Sequence, residues 1–364
     1  MSDLVLVRTT ERGRFKECRQ AWQWQYVDRL EPVQRSKALT FGGVVHEALA
    51  RWLPPGRKRG QHPAEAFAEI FDEQGEDFMQ YDEDDAQLDA RELGIAMLTG
   101  YVKHYGKDPD WEMVQPEMNF QIDVHLKDGT YLCTYVGTFD GVARSRSTGR
   151  LFLPEHKTAK SISMVRINSR YGEQGLSYWW AANMWLRHLG FLKEHERIDH
   201  VKFNFLRKAL PDERPTDGDG YRLNKPKKEA LLEACAAHDL YLPGKPTVEQ
   251  YRQALIDNGI DPDQYGEVSA KQPAPLFERQ ELTFGSNTLA TFNRRLRMEA
   301  FEMKQAREGT LPIYKNPGQH CDWCAFQAAC EVHEMGGHWQ DIIALDFKAW
   351  DPYEQHELEA EHSR

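Results

Sequence analysis

The sequence has no long apolar run. No stretch of about 18 apolar residues occurs, which excludes an ordinary transmembrane helix. The opening residues MSDLVLVRTTERGRFKE also lack the apolar core and cleavage site of a signal peptide. We therefore expect a cytoplasmic protein that does not enter a membrane, and in that reducing compartment we do not expect its six cysteines to form disulfides.

The sequence also lacks internal repeats and the sequence G-x-x-x-x-G-K-[ST] of nucleotide-driven motors. Any such motor would have to be a separate chain. A charged fraction of 28% beside 40% hydrophobic residues is typical of a folded globular protein and excludes a disordered chain.

The net charge of −11 hides two opposite segments. Residues 65–92 carry twelve acids and one arginine, which accounts for the whole net charge. Residues 144–170 carry seven Lys or Arg and the single acid Glu155. A basic segment of this kind is compatible with a phosphate-binding face, although charge alone favours a solvated loop.

Apolar spacing and turn residues predict helices around a set of strands. The predicted helices cover residues 14–28, 44–53, 64–80, 86–106, 171–190, 225–240, 247–258 and 287–308. The predicted strands cover residues 117–126, 131–143, 150–156 and 199–206. We divide the chain into an N-terminal helical region (1–112), a core (113–206), an insertion (207–283), a C-terminal helix with a Cys-rich segment (284–350) and a polar tail (351–364).

Three cysteines near the end form the pattern C-x2-C-x5-C at Cys321, Cys324 and Cys330. In a reducing compartment this spacing indicates metal or cluster ligation. A tetrahedral site needs a fourth ligand, for which Cys18 is a candidate, whereas Cys133 and Cys235 fall in predicted apolar elements and are expected to be buried. Spacing alone leaves zinc and a [4Fe–4S] cluster both open.

Two carboxylates are predicted to meet in the strands. Asp140 ends one strand, and the next strand delivers Glu155, His156 and Lys157. Because strand side chains alternate, Glu155 and Lys157 share a face and His156 points away. The two carboxylates and the His156 carbonyl oxygen could hold Mg²⁺ or Mn²⁺, and Lys157 could stabilise a phosphate. An accidental salt bridge between Glu155 and Lys157 is the alternative.

Polar residues on two helices extend this set. Gln174 and Tyr178 lie four residues apart and therefore share a helix face. His46 lies on an apolar helix face. Taken singly, Tyr178 and His46 are more often core residues than ligands. Their order along the chain, together with the carboxylates, is what makes them informative.

That order resembles a known family. His46, Asp140, Glu155-x-Lys157 and Gln174-x-x-x-Tyr178 resemble the RecB-type branch of the PD-(D/E)xK nuclease superfamily. An early cysteine with C-x2-C-x5-C near the end is similar to its iron–sulfur members, which include the AddB nuclease domain, the CRISPR adaptation exonuclease and stand-alone phage exonucleases. The resemblance spans residues 15–206 and 285–334.

The resemblance implies a fold and a function. The fold would be α/β, with a restriction-endonuclease-like core of a mixed central sheet flanked by helices. The function would be metal-dependent hydrolysis of DNA, expected at single-stranded ends, in a bacterial or phage-infected cell. A separate helicase or recombination protein is an expected partner. A non-catalytic or partner-dependent DNA-binding subunit is the alternative.

The resemblance also implies residue roles. His46, Asp140, Glu155 and the His156 carbonyl would bind Mg²⁺ or Mn²⁺, and Lys157 would be catalytic. Gln174 and Tyr178 would support the site, and Glu117 would be a second-metal or supporting group. Cys18, Cys321, Cys324 and Cys330 would bind a structural [4Fe–4S] cluster. Pro154 departs from the family pattern, in which an apolar residue precedes the Glu, and is expected to distort the strand.

The basic segment would guide the DNA backbone through Arg144, Arg146, Arg150, Lys160, Arg166 and Arg170. Trp179 and Trp180 are adjacent to Tyr178 and are candidates for stacking on bases. At helical spacing, we expect at least one of the two tryptophans to lie in the core instead.

Overall fold

The computed structural model describes residues 4–33, 37–73, 90–354 and 356 of the chain. A mixed sheet flanked by helices lies at the centre, and the predicted fold class is confirmed. The chain divides into two units: one formed by the described residues up to Ala209 and from Phe277 onward, and one formed by Leu210–Leu276. No helix in the described ranges is long and apolar enough to cross a bilayer.

Six strands form the central sheet. In chain order the strands of the structure are β1 Leu6–Val7, β2 Leu30–Pro32, β3 Trp111–His125, β4 Tyr131–Ser145, β5 Leu151–Ala159, β6 Val201–Arg207, β7 Phe277–Leu282 and β8 Phe347–Ala349. The sheet order is β1-β4-β5-β6-β7, with β3 also paired to β4. Strands β1/β4 and β5/β6 are parallel and the other pairs are antiparallel.

Helices flank the central sheet and also occur near both ends of the described chain. They are α1 Thr9–Glu17, α2 Arg19–Trp22, α3 Lys37–Trp52, α4 Pro63–Glu73, α5 Ala90–Tyr105, α6 Ile162–Tyr171, α7 Glu173–His188, α8 Lys228–Ala237, α9 Val248–Asp257, α10 Ser286–Arg307, α11 Gln327–Glu334 and α12 Trp339–Asp346. Residues 74–80 and 86–89, which we also expected to be helical, lie outside the described residues.

The predicted helices differ from the structure at several points. The first helix is broken at Cys18, whose backbone is extended, and continues through α2 into a π-helical turn, Gln23–Val27. Helix α3 begins before Gly42 rather than after Gly43. A Cβ at Gly42 would lie 3.5 Å from the Thr158 side chain, which is an ordinary contact distance, so the packing does not require glycine here. Helix α6 was not predicted at all.

Strand β3 pairs with one edge of β4, and two strands, β1 and β5, share the other edge. Strand β1 pairs with β4 at Thr134 and Tyr135, and β5 pairs only at Ala143 and Arg144. Pro154 of β5 falls opposite Gly141 and has no N–H to continue the ladder. On its other edge, β5 pairs with β6 from Leu153 onward. The expected distortion at Pro154 therefore takes the form of a gap between β4 and β5.

The second unit has a small core of its own. Leu231 and Cys235 of α8 pack with Tyr251 and Leu255 of α9. The insertion is shorter than we predicted, because Phe277–Leu282 pairs with β6 as the last strand of the central sheet. The central sheet thus includes a strand that follows the insertion.

The two ends of the chain meet in a separate small sheet. Strand β2 pairs with β8, and beneath them Trp24 and Ala21 pack with Phe326 and Phe347. The predicted N-terminal helical region therefore does not stand alone. It also supplies β1 to the central sheet.

Residues we expected to begin a polar tail are in part buried. Tyr353 is 4% exposed, and its hydroxyl donates to the carboxylate of Glu11, which is 0% exposed. Trp22 Nε1 donates to Glu11 at 2.9 Å, and Arg307 donates as well. A buried carboxylate is stable only when such donors satisfy it, so Tyr353 anchors this end of the described chain.

Replacing Tyr353 with phenylalanine is expected to lower the free energy of unfolding by about 1.5 kcal/mol, because the Glu11 carboxylate loses a buried donor. Urea unfolding followed by circular dichroism measures this. The matched control is Tyr314→Phe, since that ring is 53% exposed. Equal losses in the two variants would contradict the anchoring role of Tyr353.

Candidate active site

The gap between β4 and β5 brings together side chains from three elements. Asp140 comes from β4, Glu155 and Lys157 come from β5, and His46 comes from α3. His46 Nδ1 lies 3.2 Å from Asp140 Oδ1, and Lys157 Nζ lies 2.6 Å from Glu155 Oε1. The resulting cluster is largely enclosed, with Glu155 only 2% exposed.

The Asp140 carboxylate joins helix α3 to strand β5. Its Oδ2 accepts the backbone N–H of His156 at 2.6 Å, while its Oδ1 contacts His46. Burial alone would raise the pKa of Asp140, but His46 and the nearby Lys157 outweigh it and hold that pKa below its usual range. The same contact raises the pKa of His46 against the effect of burial.

The Glu155 carboxylate is held through one oxygen. Lys157 Nζ and Gln174 Nε2 both donate to Oε1, at 2.6 and 2.8 Å, so Oε2 is used by neither. Burial and the charge of Asp140 raise the pKa of Glu155 to about 7. Burial would lower the pKa of Lys157, but Glu155 and Asp140 outweigh it and raise it, so Lys157 is an ammonium ion at neutral pH.

Helix α7 closes one side of the cluster. Gln174 reaches Glu155, and Tyr178 packs its ring edge against Phe139 at 5.6 Å and Phe120 at 6.0 Å. Burial and the two carboxylates raise the pKa of Tyr178, which keeps its hydroxyl protonated.

The two tryptophans that follow Tyr178 are core residues. Trp179 is 3% and Trp180 is 7% exposed, and Trp179 Nε1 donates to the Ile198 carbonyl at 3.0 Å. Neither ring is available to stack on a base. The stacking expectation is therefore wrong for both.

Glu117 lies across from Asp140 on β3. The register pairs Pro116 with Gly141 and Met118 with Phe139, and Glu117 between them has a φ of 42°. A left-handed backbone is unfavourable for a residue other than glycine, and such strain occurs often at functional sites. Burial and the charge of Asp140 raise the pKa of Glu117.

His156 is buried and bonded on the other face of the sheet. Its ring is 3% exposed, and Asn204 Nδ2 of β6 lies 2.9 Å from its Nδ1. Burial lowers the pKa of His156 to about 3. Sequence reasoning missed Asn204, although a polar residue between Phe203 and Phe205 in a central strand was a usable signal.

The donor set fits a divalent cation in its chemistry. Two carboxylates and an imidazole face one gap, and these are ligands that Mg²⁺ and Mn²⁺ accept. Within the described ranges, no three His, Cys, Asp or Glu side chains stand close enough together to hold an ion as they are. His46 is instead bonded to Asp140, so binding an ion would require these side chains to move.

Four of the six cysteines share a second site. Cys18, Cys321, Cys324 and Cys330 line a cavity of about 360 Å³, which we call the cysteine cavity. The break between α1 and α2 places Cys18 there, and Gly318 N–H donates to Cys321 Sγ at 3.5 Å.

The other two cysteines lie elsewhere and are 1% exposed. Cys133 is in β4, where burial raises its pKa to about 12. Cys235 is in the second unit.

The basic segment does not form a single surface. Arg144 and Arg150 lie at the turn between β4 and β5, where Arg150 pairs with Asp199 at 3.0 Å and Arg144 donates to the Gly149 carbonyl. Arg146 also lies there, bonded to the Pro109 carbonyl. Lys160, Arg166 and Arg170 instead belong to the segment that joins β5 to α7, with Arg166 and Arg170 on helix α6. Only this second group lies directly between the site residues of β5 and those of α7 along the chain.

A model of the PD-(D/E)XK nuclease superfamily matches residues 10–331. The chain belongs to this superfamily, and the predicted resemblance is confirmed at that level. The match covers every residue singled out above from His46 to Cys330, and it indicates a nuclease, a hydrolase whose relatives generally use Mg²⁺ or Mn²⁺. A comparison with curated proteins found no match.

The electrostatics of the cluster predict opposite shifts in two variants. Lys157→Met should raise the pKa of Glu155 above about 7, because the neighbouring positive charge is lost, whereas Asp140→Asn should lower it, because a negative charge is lost. Carbon-13 NMR titration of the carboxyl without divalent cations measures both. Identical titration of Glu155 in the wild type and both variants would contradict this coupling.

Proposed function

We propose that this nuclease is a metal-dependent deoxyribonuclease whose site consists of His46, Asp140, Glu155 and Lys157. The observation that carries the proposal is the burial of two interacting carboxylates beside a protonated lysine in the gap between β4 and β5. Buried charges are costly, and a fold that retains them in a gap uses them for chemistry more often than for stability.

His46, Asp140 and Glu155 would hold the cation, with the His156 carbonyl as a further oxygen ligand and Glu117 beside a second position. When bound, Mg²⁺ or Mn²⁺ acts as a Lewis acid that neutralises charge on a phosphate and generates a nucleophile from water. Gln174 keeps the Glu155 carboxylate oriented through Oε1, which leaves Oε2 for the ligand role.

Lys157 supplies positive charge to the reacting phosphate. In hydrolysis, water adds to the phosphorus while a P–O ester bond breaks, and negative charge grows on the phosphate oxygens. A protonated Lys157 stabilises that charge, but it cannot take the proton from water, so we assign it charge stabilisation rather than base catalysis. Tyr178, whose hydroxyl stays protonated, can donate a hydrogen bond on the same side.

Helix α6 is the proposed contact for the DNA strand. It joins the strand that carries Lys157 to the helix that carries Gln174. It carries Arg166, which pairs with Glu278 at 2.8 Å, and the side chains of Met164 and Ile167, which are 61% and 52% exposed. Cations in this segment suit the phosphate backbone of a DNA strand. With the resemblance to RecB-type nucleases, this supports exonuclease action on single-stranded ends, with a helicase or recombination protein as a partner.

The cysteine cavity is the proposed site of a structural [4Fe–4S] cluster. Four cysteines line one cavity and would supply the four thiolates that such a cluster takes. Linking Cys18 to Cys321 would close a loop of about 300 residues and stabilise the fold by several kcal/mol in a loop-entropy picture. Hydrolysis of a phosphodiester needs no redox step, so the proposed role is structural.

Lys157→Ala is expected to reduce cleavage of end-labelled single-stranded DNA by about a hundredfold or more in Mg²⁺ or Mn²⁺, because the charge that stabilises the phosphate is lost. Lys127→Ala, in the turn between β3 and β4, is the matched control and should cleave like the wild type. Closed circular DNA has no ends, so neither the wild type nor the Lys127→Ala control should cleave it.

Cleavage that survives in the folded Lys157→Ala protein would mean that a different site is responsible. A folded, iron-replete wild type that binds DNA without cutting it would favour the non-catalytic or partner-dependent binding subunit. Cleavage of the closed circle at the linear rate would contradict the exonuclease assignment only.

Cys18→Ser is expected to lower the iron content of anaerobically purified protein and its brown colour, because the cluster loses one of four ligands. Cys133→Ser is the matched control and should retain its iron, since that thiol is buried in β4 away from the cysteine cavity. Iron and zinc analysis with visible absorption measures both. Colourless wild-type protein with stoichiometric zinc would contradict the cluster.

A further inference from the structure

A row of polar side chains crosses three neighbouring strands beneath the candidate active site. His156 of β5 is the register partner of Asn204 of β6, and Asn204 is the register partner of Arg279 of β7. His156 and Asn204 are 3% and 0% exposed. Buried polar groups in adjacent strands cost stability unless they bond to one another, and these three do.

Arg279 is the fixed end of the row. Its guanidinium donates to both carboxylate oxygens of Asp108, at 2.5 and 2.8 Å, and to the Tyr101 hydroxyl at 2.9 Å. It also stacks 3.6 Å from the ring centre of Tyr105. A bidentate pair with an aromatic face leaves the guanidinium little freedom.

The direction of each hydrogen bond follows from that anchor. Arg279 Nε can only donate, so the atom of Asn204 that faces it at 3.3 Å is the carbonyl oxygen Oδ1. The amide Nδ2 of Asn204 must then face the Tyr101 hydroxyl and His156 Nδ1, at 3.1 and 2.9 Å. Because Nδ2 can only donate, His156 Nδ1 accepts and the ring proton is on Nε2.

His156 connects this row to the proposed ligands. Its backbone N–H donates to Asp140 Oδ2 at 2.6 Å, and Glu155 and Lys157 are its two chain neighbours. On the other side, its ring meets the His46 ring edge-on at 6.1 Å. A His156 side chain that is held by Asn204 therefore restrains the strand backbone at this residue, from which the N–H to Asp140 projects.

We propose that Asn204 and Arg279 are positioning residues of the active site. They fix the His156 ring and its tautomer from the far side of the sheet, and through the His156 peptide they orient the Asp140 carboxylate. The proposal rests on the proposed function, because Asp140 is taken as a ligand of the catalytic cation. Neither residue touches the reacting groups.

Asn204→Leu in the full chain tests the proposal. We expect Mn²⁺ affinity, measured by electron paramagnetic resonance of the free ion, to fall about tenfold, which is typical when a group that orients a ligand is removed. We expect kcat to fall about tenfold as well, while KM for DNA changes by less than about twofold. The reason is that the variant loses the contact from residue 204 to His156 but keeps the DNA-binding surface.

Asn183→Leu is the matched control. This second buried asparagine belongs to α7 and faces the core. It bonds to the Trp179 carbonyl and the Ile198 amide, at 2.7 and 3.1 Å. Its variant should lose stability but keep the Mn²⁺ affinity and the kcat of the folded fraction. A loss of stability without loss of affinity or kcat in Asn204→Leu would make that residue merely structural and overturn the proposal.

Asn204→Asp covers the case in which the leucine variant does not fold. It keeps the shape of the side chain and its contact to Arg279, but it replaces the donor with an acceptor. Nitrogen-15 NMR of labelled histidine should then show the His156 proton on Nδ1 instead of Nε2. A proton on Nδ1 in the wild type, or no change in the variant, would overturn the proposal.

The two proposals fail in different ways. A wild type that binds Mn²⁺ but cleaves no DNA defeats the proposed function, while the tautomer and the Mn²⁺ affinities still decide the role of Asn204. An active wild type whose Mn²⁺ affinity does not respond to Asn204→Leu, and whose His156 tautomer does not respond to Asn204→Asp, defeats the positioning role alone.

Discussion

The interruption of pairing between β4 and β5 is the constraint on which the site depends. The strands pair at only two positions, because Pro154 has no N–H to offer on the edge of β5 that faces β4. Asp140 then uses its side chain, not its backbone, to bind the His156 N–H. The carboxylates of Asp140 and Glu155 consequently face one gap with no strand ladder between them. Continued pairing would close the space in which a cation and a phosphate could sit.

Much of the fold was predictable because local pattern determines it. Alternating side chains and the turns at Lys127–Gly129 and Ser145–Gly149 indicated β3, β4 and β5, and the core is built on them. Helix starts were less reliable. Gly42 was interpreted as a helix start, but it lies inside α3, because glycine weakens a helix without excluding it. The burial of Tyr353 depends on Glu11, 342 residues away, which no local pattern reveals.

The candidate site likewise has residues that local sequence patterns predict and residues that they do not. The spacing of Asp140, Glu155 and Lys157 was visible in the sequence, because a hairpin and a two-residue period are local features. Gln174 followed from helical spacing on the same grounds. What supports them is long-range: His156 bonds Asn204 in another strand, 48 residues on, and Arg279 enters only after the insertion. The prediction of one basic surface was wrong, because the charge along the chain does not show how the strands separate these residues in space.

The central claim is that His46, Asp140 and Glu155 together hold the cation of a nuclease. An anomalous difference map from crystals grown with Mn²⁺ tests it most directly, because the map locates the ion without reference to activity. The account predicts a peak about 2.2 Å from carboxylate oxygens of Asp140 and Glu155, with the His46 ring turned toward it. Mn²⁺ bound only elsewhere, with the His46–Asp140 and Lys157–Glu155 contacts intact, would contradict it.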